Sequence, residues 1–510
     1  MTSQHLINEI WRACDIMRRD NNCGGVMEYV EHLAWVLFLK FLDEQEHVFE
    51  QEAAIYGRTH NRILEPRYRW SAWVPKALGE KNPETGNRLT PEWTADEVLQ
   101  FLWGQLFPYL ANLSGSPERE VIAGVFSDRN IVVCASPYNL KDILDIIDGI
   151  DFTNPDDKHA VSVVYEDLLR RLGHENKLAG EFYTPRPVAR FVVRVVDPRV
   201  GETVYDPACG SCGFLAEAFV HMQKSESRTT DYETLQGATF YGNEKKSIPA
   251  LLGIMNMVLH GVLAPVIRRR NTLEENLRTV TERHDVVVTN PPFGGTENTQ
   301  IQNNFPVKSN ATELLFIQHI MKKLKANDGA RCGLVIPDGT LFRGGAFTTV
   351  KRDLLESFNL YFVVSLPPGV FAPYSDVRTS LLFFERPGPT REVLYYQMLL
   401  PKGVKKFSKG YPIRDEHFAE ADALWAEWNA WRRGQGGRPE LPANAWLESL
   451  ESLAAREYDL SAHNPNQPDE ALLPHPSVVV ADLVERSREL HGILLGLQER
   501  LGNGEEDDAE

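Results

Sequence analysis

The chain has 510 residues, of which 54 are basic, 71 are acidic and six are cysteine, and its formal net charge is −17. This length supports two or three domains with a large core, and so few cysteines in a chain of this size exclude a disulfide scaffold. The acidic balance disfavours a protein that binds DNA alone, because neutralising phosphates requires a basic surface. A nucleic-acid enzyme of this composition would need a hidden basic groove or a partner subunit.

The first 150 residues alternate helical patterns with polar loops and predict an N-terminal helical domain. Residues 82–91 are rich in Gly, Pro and Asn, which predicts a surface loop. The sequence shows no secretory signal, and the apolar run from Leu33 to Leu39 is too short to span a bilayer. We therefore expect a soluble cytoplasmic protein with no membrane partner.

A glycine-rich turn follows a predicted strand at Thr203–Tyr205. The turn is Asp-Pro-Ala-Cys-Gly-Ser-Cys-Gly-Phe at positions 206–214, and a helical pattern with an apolar side comes after it. Glycines let the backbone approach a ligand, and a helix N-terminus offers free N–H groups. The pattern is not a dinucleotide fingerprint, because Cys212 stands where a third glycine is expected.

Cys209 and Cys212 have the spacing of a redox or zinc pair. No second cysteine pair and no paired histidines occur at ligand spacing. Because both cysteines lie within the glycine turn, the sequence favours small-residue packing around a ligand, and we expect no metal site.

The next predicted strand spans residues 238–242 and ends in Asn243-Glu244. An acidic side chain at the end of the second strand of an α/β unit can bind two ribose hydroxyls. A lone glycine loop is weak evidence for a nucleotide site. The loop followed by an acidic strand end is stronger evidence.

The sequence Asn290-Pro291-Pro292-Phe293 follows a predicted buried strand at residues 285–289. The two prolines end the strand and stiffen the backbone, which places the asparagine at the carboxyl end, where open α/β sheets bind ligands. The Asn290 and Pro291 carbonyls can accept both hydrogens of an exocyclic NH2 group, and Phe293 can stack on its ring. Taken alone, the tetrapeptide is equally typical of a proline-capped strand end with an aromatic residue in the core.

Strand patterns recur around six apolar positions between residues 204 and 382, with helical stretches between several of them, which predicts a mostly parallel sheet covered by helices. Residues 379–385 and 392–399 flank a Pro-Gly-Pro sequence and predict a hairpin at the sheet edge. Trp425, Trp428 and Trp431 have helical spacing, which is more typical of core packing than of a base-stacking surface. Residues 477–501 predict an amphipathic helix with a coiled-coil seam, and the acidic residues after it predict disorder.

These motifs resemble those of the DNA amino-methyltransferases, in particular the modification subunits of type I restriction–modification systems. Further likenesses are residues 180–188 (Gly-Glu-Phe-Tyr-Thr-Pro-Arg-Pro-Val), 335–342, 366–371 and the stretch from Ile7 to about Gly57. The resemblance implies an α/β fold: a mostly parallel, Rossmann-like methyltransferase sheet with an N-terminal helical domain and a C-terminal helical extension. The domains expected are 1–150 (helical), 160–400 (methyltransferase), 401–475 (mixed), 476–501 (coiled-coil-like helix) and 502–510 (acidic tail).

The resemblance further implies S-adenosylmethionine as cofactor and adenine N6 of duplex DNA as substrate. Asn290 through Phe293 would be catalytic. The cofactor-binding residues it implies are Glu181, Phe182, Tyr183, Thr184, Pro185, Arg186, Asp206, Gly210, Ser211, Cys212, Glu244 and Asn271. Asn271 stands where relatives usually carry aspartate, which makes that contact the least certain of the set.

The partners implied are a DNA-sequence-specificity subunit, with two copies of this chain per specificity subunit, and a restriction and translocase subunit. The seam at residues 477–501 is predicted to dock on the specificity subunit, and the alternative is that this helix folds back on its own chain. Two basic clusters, residues 268–270 and the lysines between 402 and 409, could touch phosphate or could be solvated surface. Methylation of protein glutamine or RNA, and a non-catalytic scaffold that binds cofactor, stay open as alternative functions.

Overall fold

The computed structural model describes residues 3–55, 57, 59–127, 131–154, 184–224, 234–237, 239–262, 265–372, 375–466, 487 and 491. The described helices before residue 154 are α1 (Ser3–Arg18), α2 (Val26–Ile55), α3 (Trp70–Leu78), α4 (Ala95–Phe101), α5 (Phe107–Ala111), α6 (Pro117–Phe126) and α7 (Pro137–Asp148). A π-helical turn, Leu102–Leu106, joins α4 to α5.

Local sequence explains where several of these helices begin. Thr94 and Glu97 form a capping box at the start of α4. Ser116 and Ser136 accept backbone N–H groups at the starts of α6 and α7, and each is followed by proline at the first helical position. The predicted helical character of this part of the chain is confirmed.

The apolar run Leu33–Leu39 lies in the middle of α2 and is buried along its whole length. It therefore forms protein core, in agreement with the expectation that it is too short for a bilayer. Within the part of the chain that the structure describes, no helix is long and apolar enough to cross a membrane.

A nine-stranded sheet organises the rest of the described chain, in the order β3-β2-β1-β4-β5-β7-β6-β8-β9. The strands are β1 (Val204–Asp206), β2 (Phe240–Glu244), β3 (Val266–Arg269), β4 (Val286–Thr289), β5 (Arg331–Pro337), β6 (Asn359–Ser365), β7 (Thr379–Glu385), β8 (Glu392–Gln397) and β9 (Ala445–Ser449). β1 to β5 pair in parallel, as do β6 and β8. The mostly parallel α/β fold is therefore confirmed.

The described helices of this region alternate with the strands. They are α8 (Arg186–Val196), α9 (Gly213–Gln223), α10 (Ser247–His260), α11 (Thr299–Gln302), α12 (Thr312–Lys323), α13 (Asp338–Phe342), α14 (Ala346–Ser357), α15 (Ala419–Arg432) and α16 (Leu450–Ala455). β1 lies between β2 and β4, so the strand order reverses there and leaves a crevice at the carboxyl ends of these strands.

The predicted edge hairpin of residues 379–385 and 392–399 is wrong. β7 lies inside the sheet, antiparallel to both β5 and β6, and β8 pairs in parallel with the far side of β6. The Pro-Gly-Pro segment between them crosses the start of β6, where a Cβ on Gly388 would lie 2.5 Å from the Phe358 nitrogen. Thr390 fixes this crossing, since its hydroxyl donates to the Phe358 carbonyl at 2.9 Å and accepts the Leu360 N–H at 2.8 Å.

The tryptophan spacing in α15 serves core packing, as predicted. Trp425 and Trp428 are buried, and the Trp425 ring stacks on Phe362 of β6 with centroids 5.3 Å apart. Sequence reasoning did not place β3, whose last residues belong to the basic cluster at 268–270. The predicted helix at 477–501 lies outside the described residues except at Ser487 and His491, and the acidic tail lies wholly outside them.

The chain divides into two compact units. The described residues of one lie within 1–440 and 447–462, and those of the other are 441–446, 463–466, 487 and 491. In the second unit the Asn464 side chain donates to the Ala443 carbonyl at 3.1 Å.

Candidate active site

A cavity of about 320 Å³ opens beyond the carboxyl ends of β1, β2 and β4. We call it the sheet-edge cavity; it is lined by Pro207, Ala208, Asn243, Glu244, Lys245, Lys246, Arg270, Asn271, Thr272, Leu273, Pro292, Gly295, Thr296, Glu297, Thr312 and Phe316. Of the predicted site residues, Glu244, Asn271 and Pro292 are part of this lining.

The glycine turn between β1 and α9 is held from behind by two helices. Gly210 and Cys212 have φ angles of 49° and 58°, so the turn enters the left-handed region twice. The Asn256 side chain on α10 donates to the Ser211 carbonyl at 2.7 Å, and Arg186 at the start of α8 donates to the Gly213 carbonyl at 2.8 Å. The described contacts of Arg186 support the turn that faces the cavity, and its predicted contact with cofactor stays a prediction.

Cys209 and Cys212 are fully packed against neighbouring glycines. A Cβ on Gly242 would lie 2.9 Å from the Cys209 sulfur, and one on Gly253 would lie 2.6 Å from the Cys212 sulfur. Both thiols therefore occupy space that only glycine leaves open, which is the packing role that the sequence favoured.

Glu244 is buried at the end of β2 and fastens two backbone segments. One carboxylate oxygen accepts the Gly210 N–H at 3.1 Å, and the other accepts the Lys246 N–H at 2.8 Å. Burial raises the pKa of Glu244, although these hydrogen bonds oppose the rise. Each oxygen keeps a lone pair for a further donor, which is what a pair of ribose hydroxyls requires.

Asn271 lies at the rim of the cavity and already has a structural role. Its side-chain oxygen accepts the Leu273 N–H at 3.2 Å and so caps the 3-10 turn Thr272–Glu274. The predicted contact with a purine ring would use the remaining hydrogen-bonding capacity of this amide.

Asp206 connects the glycine turn to the Asn-Pro-Pro-Phe motif. Its carboxyl group accepts the Thr289 hydroxyl at 2.7 Å and the Ala208 N–H at 3.0 Å. Burial raises its pKa to about 7, against the opposing effect of these two hydrogen bonds. Asp206 is 1% exposed, so the described geometry shows it positioning the turn and β4 relative to each other. Thr289 was missed from the sequence, although a hydroxyl directly before Asn290 was the available signal.

The two ends of the Asn290 side-chain amide differ: the nitrogen is hydrogen-bonded and the oxygen is not. The amide nitrogen donates to the Thr184 hydroxyl at 3.1 Å. The amide oxygen is buried and has no hydrogen-bond partner among the described residues. A buried, unpaired amide oxygen costs free energy, so its presence at a strand end is a functional signal.

The residues after Asn290 are fixed by packing. Pro291 is buried, and Phe293 is half-buried with its ring edge-on to Phe371 at 6.2 Å between centroids. The Glu313 carboxylate accepts the Gly294 N–H and holds the turn that follows Phe293. The polar stretch 294–310 after the motif includes α11 and the buried side chains of Ile301 and Phe305.

A buried polar network behind the cavity was also missed from the sequence. The Asn243 side chain donates to the Tyr205 hydroxyl at 2.7 Å and accepts from Arg270 at 3.0 Å. The Tyr205 hydroxyl lies 3.2 Å from His319 on α12. Tyr205, Asn243, Arg270 and His319 come from four separate segments of the chain, so no local motif could have revealed the network.

Of residues 181–186, which were predicted to bind cofactor, the structure describes Thr184, Pro185 and Arg186. Glu181, Phe182 and Tyr183 lie outside the described residues, and their predicted contacts stay predictions. Thr184 accepts a hydrogen bond from Asn290, so the predicted cofactor-binding stretch and the Asn-Pro-Pro-Phe motif meet at this point.

Comparisons with known proteins agree with this geometry. Residues 156–472 match the family model described as N-6 DNA Methylase, and residues 6–147 match that of the HsdM N-terminal domain. The chain belongs to the N-6 DNA methylase family. It is 39% identical over 495 residues to the methylase subunit of the type I restriction enzyme EcoEI from Escherichia coli, with 94% of this chain and 96% of that protein covered.

Solved structures give the same result. A chain from a study of complex assembly and conformational transition of the type I restriction–modification system is 59% identical, with a TM-score of 0.80 and 99% of both chains covered. A modification subunit of a proposed type I restriction enzyme from Vibrio vulnificus YJ016 is 37% identical, with a TM-score of 0.76 and coverage of 91% of this chain and 98% of that one. The predicted family and enzyme class are confirmed, and methylation of protein or RNA is not favoured.

Proposed function

We propose that this chain transfers a methyl group from S-adenosylmethionine to N6 of adenine in duplex DNA, as the modification subunit of a type I restriction–modification complex. The observation that carries the proposal is the unpaired amide oxygen of Asn290, two residues before Pro292 in the lining of the sheet-edge cavity. One end of that amide is fixed by Thr184, so the other end presents an acceptor in a defined direction.

The sheet-edge cavity suits the nucleoside part of S-adenosylmethionine. Glu244 offers two acceptors for ribose hydroxyls, and the turn at Gly210 through Cys212 brings backbone close to the ligand. Asn271 and Pro292 lie on the lining where a purine ring would fit. S-adenosylmethionine, when bound, supplies an electrophilic sulfonium methyl group.

Asn290 and Pro291 would act on the adenine amine. The N6 lone pair is delocalised into the ring, which makes the nitrogen a poor nucleophile. Hydrogen bonds from its two hydrogens to the Asn290 oxygen and the Pro291 carbonyl favour a more tetrahedral nitrogen, whose lone pair is then available for direct in-line attack. The rate would come from positioning and electrostatics, without a covalent enzyme intermediate.

The target adenine must leave the duplex to reach Asn290, since its amine is not accessible in the base stack. Phe293 is half-buried next to Asn290, and its ring would stack on the flipped base. The turn held by Glu313 fixes the backbone that carries this ring.

The charge distribution favours a partner as the main source of DNA contact. In the cluster at 268–270, Arg268 binds Glu282 at 2.9 Å and Arg270 donates to Asn243, so both side chains are already engaged. Together with the net charge of −17, this supports a specificity subunit that grips and reads DNA, with two copies of this chain per specificity subunit. A restriction and translocase subunit and a cytoplasmic location complete the proposal.

The test is methylation by the assembled complex. The full chain is combined with the specificity subunit of its system, genomic DNA from a host without methylation, and S-adenosylmethionine, and the DNA is digested and analysed by mass spectrometry. We expect N6-methyladenine, with turnover reduced at least about 100-fold in Asn290→Ala. Asn303→Ala removes an exposed asparagine from the neighbouring turn and is the matched control.

Calorimetry separates loss of chemistry from loss of cofactor. Asn290→Ala should bind S-adenosylmethionine with unchanged affinity, because the role of Asn290 is on the substrate amine. N4-methylcytosine in the digest would overturn the substrate, and normal turnover by Asn290→Ala would overturn the assignment of the catalytic residue.

A further inference from the structure

Three buried side chains in the N-terminal helices bring two sulfur atoms and an imidazole together. Cys23 lies in the turn between α1 and α2, His32 lies on α2, and Cys134 lies in the extended segment before α7. They are 0%, 0% and 2% exposed, and their potential ligand atoms all lie within 4.8 Å of one another. The proposed methyl transfer makes no use of this cluster.

Two of the three distances between ligand atoms match those of a tetrahedral zinc site. Zn–S bonds of about 2.3 Å and Zn–N bonds of about 2.0–2.1 Å place neighbouring sulfurs about 3.8 Å apart, and sulfur and nitrogen about 3.6 Å apart. The Cys23 and Cys134 sulfurs are 3.8 Å apart, and the Cys23 sulfur is 3.6 Å from Nδ1 of His32. The Cys23 sulfur therefore lies at zinc-tetrahedron distances from both other ligands, and all three ligand atoms lie within 4.8 Å of one another.

The polar contacts of the His32 ring are concentrated on this cluster. Nδ1 faces the Cys23 sulfur and also accepts the Cys134 backbone N–H at 3.2 Å. Nε2 is buried and has no hydrogen-bond partner among the described residues. Metal binding would take the Nδ1 lone pair, and the released Cys134 N–H would turn to a thiolate sulfur.

The surroundings hold the three ligands in place. Asp20 accepts the Ala135 N–H at 2.7 Å and the Ser136 N–H at 3.0 Å, and Trp35 donates to the Val132 carbonyl at 2.9 Å. These bonds fasten the segment that carries Cys134 to α2, which carries His32, and to the turn before α2, which carries Cys23. Asp20 accepts four hydrogen bonds in all, so its carboxylate is not free to act as a fourth ligand. Three protein ligands leave one position of a zinc tetrahedron for a water molecule.

We propose that Cys23, His32 and Cys134 form a zinc site that fastens the segment at 131–135 to the start of α2. Binding releases the two thiol protons, and two thiolates balance the charge of Zn²⁺ around a neutral imidazole, so the buried site carries no net charge. Soft thiolate and imidazole ligands select zinc over magnesium or calcium. The site links residues 111 positions apart and would act as a structural clamp on the N-terminal helices.

The first test measures metal in the full chain, purified without a polyhistidine tag or chelator from zinc-supplemented cells. We expect about one zinc per chain by mass spectrometry of the metal, and loss of most of it in the Cys23→Ser/Cys134→Ser double variant. Cys14→Ser and Cys332→Ser remove buried thiols outside the cluster and should keep the metal.

A second measurement decides the matter if the double variant does not fold. Chelator-treated wild-type chain is titrated with Co²⁺, which should give thiolate-to-metal charge-transfer absorption that Zn²⁺ then abolishes. Folded wild-type chain with neither bound zinc nor this absorption would overturn the proposal. A Cys23–Cys134 disulfide found by mass spectrometry without reduction would overturn it too, since the same sulfur spacing suits a thiol pair that oxidises.

Discussion

Two polar side chains, Asp20 in the turn after α1 and Asn290 at the end of β4, differ in how many hydrogen bonds they make. Asp20 accepts four hydrogen bonds, from the backbone of Asn22, Ala135 and Ser136 and from the Asn139 side chain. Asn290 makes one, to Thr184, and its oxygen has no partner among the described residues. Complete satisfaction stabilises the fold, whereas incomplete satisfaction at a strand end leaves an acceptor for a ligand.

Asp206 stands between these two cases. It is buried and hydrogen-bonded like Asp20, but burial outweighs its two bonds and raises its pKa to about 7. Asp206 therefore helps to position the glycine turn and β4, but burial destabilises its charged form. We therefore expect substitution of Asp20 to lower stability, substitution of Asp206 to change how stability depends on pH, and substitution of Asn290 to impair catalysis.

The largest effect is expected from Asp20→Ala, which removes the acceptor for three backbone N–H groups and one amide. We expect the free energy of unfolding to fall by about 3–5 kcal/mol, because each buried donor left unpaired costs about 1–3 kcal/mol. Urea unfolding measures this, and Asp15→Ala, which removes an exposed carboxylate from α1 just before the turn that carries Asp20, is the control. A loss as small as that of the control would show that Asp20 is no scaffold residue.

Asp206→Asn should change how stability depends on pH. The wild-type carboxyl group holds its proton up to about pH 7 in the folded state but only to about pH 3.9 when unfolded. Its contribution to stability is therefore present at low pH and is lost as pH rises through this window, by about 4 kcal/mol at most. Asp206→Asn should remove this component, so that the unfolding free energy of the variant rises relative to that of the wild type as pH increases from about 4.5 to about 7.5.

Glu244 contributes to the same pH effect. Its pKa is also raised by burial, so its component has the same sign and persists in Asp206→Asn. Parallel pH profiles for wild type and Asp206→Asn would show that Asp206 is charged in the folded protein across the whole range.

Glu244→Ala should weaken S-adenosylmethionine binding by about 1.5–3 kcal/mol, the usual worth of hydrogen bonds to a charged acceptor. The variant also frees the Gly210 N–H, so Glu244→Gln, which can still accept there, separates ribose recognition from support of the turn. Glu274→Ala, an exposed carboxylate next to the cavity, is the control. Calorimetry giving equal affinities for wild type and Glu244→Ala would reject the ribose assignment.

The sequence predicted the parts of the site that lie in contiguous motifs. The glycine turn, Glu244 and Asn290 through Phe293 each follow a strand, and strand ends of a parallel sheet converge at one edge, so their proximity followed from the pattern. β2 extends two residues beyond the predicted strand and takes in Glu244. The hairpin failed because Pro-Gly-Pro is typical of a turn, whereas the chain here crosses β6 to reach its far side.

Contacts between segments that are distant in the sequence could not be predicted from contiguous motifs. The cluster at Cys23, His32 and Cys134 depends on packing of α2 against a segment 111 residues from the first cysteine, so ligand-spacing rules did not detect it. The bond from Asp206 to Thr289 and that from Asn290 to Thr184 likewise join residues more than 80 positions apart. Such pairs follow from strand order, which no local pattern determines.

The smallest effect, and the finest test of the open Asn290 oxygen, is expected from Thr184→Val. The substitution keeps the shape of the side chain and removes the hydroxyl that accepts the Asn290 amide nitrogen. Losing one neutral hydrogen bond of about 1 kcal/mol should lower kcat of methyl transfer about fivefold, because Asn290 is then less well oriented. Thr184→Ser restores the hydroxyl and should restore kcat.

Cofactor affinity distinguishes this positioning role from the predicted contact of Thr184 with S-adenosylmethionine. If Thr184 acts through Asn290, calorimetry on Thr184→Val should give wild-type affinity for the cofactor, and Thr184→Val in an Asn290→Ala background should cause no further loss of turnover, since the bond is already gone. A weaker cofactor affinity with unchanged kcat would place the hydroxyl on the cofactor instead. In that case the hydrogen bond from Asn290 to Thr184 would not be needed for catalysis. The difference between Asn290 and the fully hydrogen-bonded Asp20 would then depend only on the unpaired oxygen of Asn290.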